Sequence, residues 1–138
     1  WWEELECGYV DCGSPHLVVF IDDIQKPVIK ELSEVNVNEW GRNLRMHRDL
    51  MPEGANVNFV KVINDNEIHT RTFERGVERE TLSSGTGSIS SAIISYIKRN
   101  VNTPVKILPK YGEYIVIDFV DEDGKIKNLT IAGGANRI

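Results

Sequence analysis

The residues best suited to chemistry lie between Glu74 and Gly87. Glu74-Arg75-Gly76 is followed by Glu80-Thr81-Leu82-Ser83-Ser84-Gly85-Thr86-Gly87, then by an uncharged run as far as Lys98. Ser83 and Ser84 are natural N-caps, because a serine hydroxyl accepts a hydrogen bond from an unpaired N–H of the first helical turn. Gly85 and Gly87 leave the backbone uncovered there. A small anion can therefore approach those N–H groups and the positive end of the helix dipole. The chemistry this suggests is the holding of a small anion beside a nucleophile-sized hydroxyl. Two further polar clusters stand at the starts of apolar runs: Gly13-Ser14-Pro15-His16 and Pro52-Glu53-Gly54-Ala55-Asn56. Taken singly, each residue has a plainer role. The serines can be caps, Glu74 and Arg75 a local ion pair, His16 a satisfied core histidine and Asn56 a turn residue.

Other chemistries lack their patterns. The three histidines are scattered, and neither cysteine has a partner at ligand spacing, so no metal is expected. A serine-hydrolase reading of Ser84 lacks the strand–elbow–helix context and a base with its orienting group. Gly85-Thr86-Gly87 is too short for a P-loop or a dinucleotide fingerprint.

The elements that must position these clusters are mostly strands. His16–Ile21 is a continuous apolar run, as a buried strand requires. Asn56–Ile63 alternates, Asp65-Asn66 turns the chain, and Ile68–Phe73 returns, so the pair predicts a hairpin. Residues 105–108, 114–120 and 126–131 predict three more strands, with Asp121-Glu122-Asp123-Gly124 turning between the last two. Ile89, Ala92, Ile93, Tyr96 and Ile97 recur at helical spacing, and the positions between them are small or apolar. Such a helix is buried all round. Asn36–Leu50 predicts a second, more polar helix, with Asn38 as its cap and Trp40, Leu44 and His47 on one side. Its Arg42, Arg45 and Arg48 are read as a solvated face rather than a binding patch. The expected fold is α+β: a mostly antiparallel sheet wrapped around one buried central helix, with a second, more exposed helix beside it.

Composition fits one domain over residues 1–138, large enough for a core without disulfides or metal. A net charge of −5 argues against nucleic acid or an anionic membrane as partner. The longest apolar run is too short and too serine-rich to span a bilayer. Trp1-Trp2-Glu3-Glu4 has neither the basic start nor the apolar stretch of a signal peptide, so a cytoplasmic location is expected. An opening on two tryptophans without methionine reads as a fragment, a trimmed chain or a leader. Cys7 and Cys12 are expected as reduced thiols. Asn128-Leu129-Thr130 fits a glycosylation pattern by chance, within a predicted strand.

Together the polar clusters resemble the C-terminal domain of diaminopimelate epimerase and related cofactor-independent amino-acid racemases. The family pattern has Gly-Asn-Pro-His before one strand, Pro-Glu-x-x-Asn-Val opening another, and Glu-Arg-Gly-x-x-x-Glu-Thr-x-x-Cys-Gly-Thr-Gly leading into the central helix. Here these stand as Gly13-Ser14-Pro15-His16, Pro52-Glu53-Gly54-Ala55-Asn56-Val57, and Glu74-Arg75-Gly76 through Glu80-Thr81-Leu82-Ser83-Ser84-Gly85-Thr86-Gly87. The resemblance implies an isomerase of lysine biosynthesis that converts LL- to meso-diaminopimelate without pyridoxal phosphate. Two similar domains would flank the site and each would supply one cysteine. One thiolate removes the α-proton and the opposite thiol returns a proton to the other face. By the same resemblance, Ser14, Asn56, Glu74 and Arg75 hold the substrate, and the backbone N–H groups of Gly85 and Thr86 take its α-carboxylate. His16 and Glu74 tune the thiols. The implied partners are a diaminopimelate-like amino acid and an N-terminal domain of the same parent protein, with a homodimer left open.

The sequence departs from that pattern at the decisive position. Ser84 stands where the family has its catalytic cysteine, and Ser14 where it has asparagine. A thiol titrates near ~8.5, an alcohol nearer the ~15.7 of water. Forming an alkoxide base is harder by about 7–10 kcal/mol at ~1.36 kcal/mol per pH unit. A helix dipole contributes ~0.5–2 kcal/mol and does not close that gap. The domain with the other base also has no counterpart within these 138 residues. Three readings follow: the C-terminal half of an epimerase-like isomerase, with Ser84 either engineered or native and then pointing to one-base elimination or dehydration; a non-catalytic amino-acid-binding homologue; and a purely structural homologue.

Overall fold

The computed structural model describes residues 7–11, 15–24, 29–45, 56–74, 79–81, 85–109 and 113–133. In chain order these form β1 (Cys7–Asp11), β2 (Pro15–Phe20), α1 (Val37–Arg45), β3 (Asn56–Asn64), β4 (Glu67–Glu74) and β5 (Arg79–Thr81). Then come α2 (Gly85–Arg99), β6 (Val105–Pro109), β7 (Ile115–Glu122) and β8 (Lys125–Gly133). Short 3-10 turns occupy Ile21–Asp23 and Leu32–Glu34. The strands form one sheet in the order β1-β2-β3-β4-β6-β7-β8, with β5 also paired to β4. Pairing is antiparallel except between β2 and β3 and between β4 and β6.

Side-chain alternation divides the core into two layers, since successive strand residues point to opposite faces. Val18, Phe20, Val60, Ile68, Ile107 and Ile117 pack with Ala92, Ile93 and Ile94 of α2. On the other face, Leu17, Val19, Val57, Phe59 and Phe73 pack with Val35 and Val37 at the start of α1. α2 is therefore the inner helix. From Gly87 to Ser95 it is buried except at half-buried Ile89, as a helix of small and apolar residues must be. Ile97 departs from the expected apolar set and is exposed. α1 is the more exposed helix: Asn38, Glu39 and Arg42 face solvent, while Val37 and Gly41 are buried.

The expected α+β architecture of a mostly antiparallel sheet around a buried helix is the one observed. Three details differ. β1 and β5 extend the predicted strand set. The described part of the first helix is Val37–Arg45, and residues 46–50, with His47 and Arg48, lie outside the described residues. Its cap is Asn36 rather than Asn38. Asn36 Oδ1 accepts the Glu39 N–H at 3.2 Å, and Asn36 Nδ2 donates to Glu39 Oε2 at 2.9 Å. Asn38 sits one residue inside the helix and is exposed. The β7–β8 turn is as expected. Asp123 and Gly124 have φ of 54° and 84°, the left-handed pair of a type I′ hairpin, and Gly124 N–H donates to Asp121 Oδ1 at 2.9 Å. Cys7 opens β1, whereas Cys12 lies outside the described residues. No described helix is long and apolar enough to cross a membrane.

Candidate active site

Strand register brings the polar clusters to one rim. β2 and β3 are parallel with His16 opposite Asn56, so both strands start at the same edge. β4 runs antiparallel to β3, with Val57 opposite Phe73, and so ends at that edge with Glu74. β5 pairs back along it, Glu74 opposite Arg79 and Thr72 opposite Thr81.

The inner helix opens toward the same rim. Arg99, in its last turn, places Nη2 2.6 Å from Asp23 Oδ2, and its guanidinium carbon lies 4.1 Å from the Phe20 ring centroid. Phe20 and Asp23 are at the far end of β2 from His16, so α2 runs antiparallel to β2 and its N-terminus faces the His16 end. Connectivity agrees. Gly85 follows Thr81 by four positions, so the helix start lies within about 14 Å of the β5 end. Lys98 and Arg99 in the last turn suit the negative end of the dipole.

His16 is buried at 1% exposure and Asn56 at 7%. Glu74 is half-buried. Gly85 and Thr86 are the first two residues of α2, where backbone N–H groups have no partner within the helix. Strand register thus puts His16, Asn56 and Glu74 at one edge of the sheet, and the direction of α2 turns its first residues, Gly85 and Thr86, toward that edge. Ser14, Arg75 and Ser84 lie outside the described residues.

Two functional candidates escape a reading of the sequence, Asn58 and Thr72. Asn58 is 1% exposed and Thr72 4% exposed. Asn58 Nδ2 is 3.1 Å from His16 Nδ1 and donates to the Leu17 carbonyl at 3.3 Å. Thr72 Oγ1 donates to Asn58 Oδ1 at 3.0 Å. A polar Asn58 inside the apolar run Val57–Val60 was the available signal, because a buried amide has to be hydrogen-bonded. What this rim can do chemically is hold an anion on the first backbone N–H groups of α2, beside a buried imidazole and a carboxylate.

A family model for diaminopimelate epimerase matches residues 8–137. Diaminopimelate epimerase of Aquifex aeolicus is 39% identical over 137 residues, covering 99% of this chain and 45% of that protein. The Chlamydia muridarum enzyme is 36% identical over 121 residues, covering 88% of this chain and 42% of that one. The chain thus spans less than half the length of these curated relatives. Among solved structures, a phenazine biosynthesis protein of the PhzF family from Enterococcus faecalis superposes with a TM-score of 0.55 at 15% identity. That match covers 80% of this chain and 35% of the other. A PhzF-family protein of Bacillus anthracis gives 0.53 at 16% identity, over 88% and 37%. These two share the fold. Fold, motif order and the extent of the family match agree: the chain belongs to the diaminopimelate epimerase family.

Proposed function

We propose that this chain is the C-terminal, substrate-binding half of a pyridoxal-phosphate-independent epimerase that interconverts LL- and meso-diaminopimelate. The observation that supports the reading is the register that puts His16, Asn56 and Glu74 at the sheet edge toward which α2 opens. An α-carboxylate seated on the Gly85 and Thr86 N–H groups would have its charge stabilised as the carbanion forms, by fixed dipoles that need no reorganisation. Ser14, Asn56 and Arg75 would orient the amino acid, and Glu74 and His16 would set the protonation of the reacting thiols. An N-terminal domain of the parent protein would close the cleft, supply the second base and exclude water.

Ser84 would occupy the position of this half's thiol. The test is solvent deuterium exchange at the α-carbon of diaminopimelate by the full-length parent carrying Ser84→Cys. Exchange at a rate typical of an epimerase is expected, and its absence overturns the epimerase reading. Ser84 itself favours a second reading, an amino-acid-binding relative without turnover. Calorimetry of the full-length serine form with diaminopimelate separates this from a bare scaffold: heat of binding supports a retained site, and silence excludes one.

A further inference from the structure

Three polar side chains form a buried relay behind the rim: Thr72, Asn58 and His16. Its direction is fixed by chemistry. The Leu17 carbonyl can only accept a hydrogen bond, so the atom of Asn58 that faces it at 3.3 Å has to be the amide nitrogen. The opposite rotamer would set two oxygens against each other. Asn58 Oδ1 then accepts from the Thr72 hydroxyl at 3.0 Å, which holds the amide in that orientation. The same nitrogen is 3.1 Å from His16 Nδ1 and carries only donors. A protonated Nδ1 would set N–H against N–H, so Nδ1 has to present its lone pair. In a neutral imidazole the proton then resides on Nε2.

Strand pairing makes the relay rigid. Asn58 is opposite Val18 on β2, two residues from His16, and opposite Thr72 on β4. All three side chains are at most 4% exposed, where unpaired polar groups are costly and satisfied networks specify a single arrangement.

We propose that Asn58 is a positioning residue that fixes His16 as its Nε2–H tautomer, so that His16 meets the reacting group as a hydrogen-bond donor rather than as a base. Its use in catalysis rests on the epimerase reading above. As a donor, His16 stabilises a thiolate without competing for the proton being moved. Thr72 acts one step further back, by holding the Asn58 amide.

The test is long-range proton–nitrogen NMR of the uniformly nitrogen-15-labelled 138-residue chain near pH 7, with the His16 signals identified by their loss in His16→Gln. The Nε2–H pattern is expected. In Asn58→Asp the carboxylate requires a donor at Nδ1, so the pattern should change to Nδ1–H or to the doubly protonated ring. Thr72→Val removes one of the two contacts that hold the amide and leaves the Leu17 carbonyl as the other. A minor Nδ1–H population should therefore appear beside the Nε2–H form, and Thr72→Ser should abolish it. No minor form in Thr72→Val would remove Thr72 from the relay. A merely structural role would change stability and leave the tautomer alone. An Nδ1–H pattern in the unaltered chain overturns the proposal, and so does an unchanged pattern in folded Asn58→Asp. If Asn58→Asp fails to fold, the unaltered chain and the two Thr72 variants decide it. The readout does not involve diaminopimelate, so the epimerase reading and the relay can fail separately.

Discussion

Gly41 of α1 lies directly on Phe73 of β4: a Cβ built on Gly41 would stand 2.5 Å from Phe73 Cγ. Phe73 is fully buried and immediately precedes Glu74 at the rim. The contact therefore sets how closely the outer helix approaches the strand that delivers a site residue. Gly41→Ala would gain about 0.8–1 kcal/mol of helix propensity but force Phe73 or the helix to move, at about 1–3 kcal/mol. A net loss is expected, read as a lower urea midpoint with an unchanged slope. Increased stability would show that the helix slides without cost.

A second prediction concerns pH and a cluster on the far side of the sheet. Glu67 Oε2 accepts from His69 Nε2 at 3.0 Å and from the Tyr114 hydroxyl at 3.2 Å. The His69 hydrogen bond is the main influence holding the Glu67 carboxyl below its ordinary 4.5, against the opposing effect of burial. A lowered folded-state pKa contributes stability that is present above the unfolded value and is lost as pH falls through the folded one. Stability should therefore decline on acidification below about pH 4.5, and Glu67→Gln should flatten that decline. Urea melts of both proteins across the acid range check this: the gap between them should narrow as pH falls. A gap independent of pH would contradict it. Tyr114 behaves oppositely at the alkaline end. Burial, then its bond to Glu67, raises it above 10.0, so its contribution is complete below pH 10 and is lost as pH rises through the folded value.

What was legible in the sequence follows from which interactions are local. His16, Asn56 and Glu74 were visible because each ends an apolar or alternating run, and polar residues at strand ends collect at a sheet rim. The inner helix was visible because its residues are small or apolar on every side. β5 was not: the three residues Arg79–Thr81 are too few to show a period of two. Asn36 and Asn38 are equivalent as cap types. What decides between them is Glu39, placed to bond Asn36 in both directions. The relay through Asn58 depends on a pairing with Thr72 fourteen positions away, and Gly41 on a contact with another element. Neither leaves a trace in local pattern.

The last prediction concerns the serines of α2. Ser88, Ser91 and Ser95 recur at helical spacing, and among the described residues their hydroxyl oxygens are buried without a hydrogen-bond partner. Ser95 is fully buried near the helix's C-terminal end, away from the rim. A buried hydroxyl that has lost its water costs about 1–3 kcal/mol, and alanine is the better helix former. Ser95→Ala removes that cost and keeps the Ser95 carbonyl as acceptor for Val101 N–H at 3.3 Å. It should raise stability by about 0.5–2 kcal/mol. Ser90 is as deeply buried but keeps a partner, so Ser90→Ala should lose about 1 kcal/mol. Opposite signs on one helix, read as urea midpoints with unchanged slopes, separate hydrogen-bond satisfaction from mere helix preference. Two equal gains would mean that propensity alone decides.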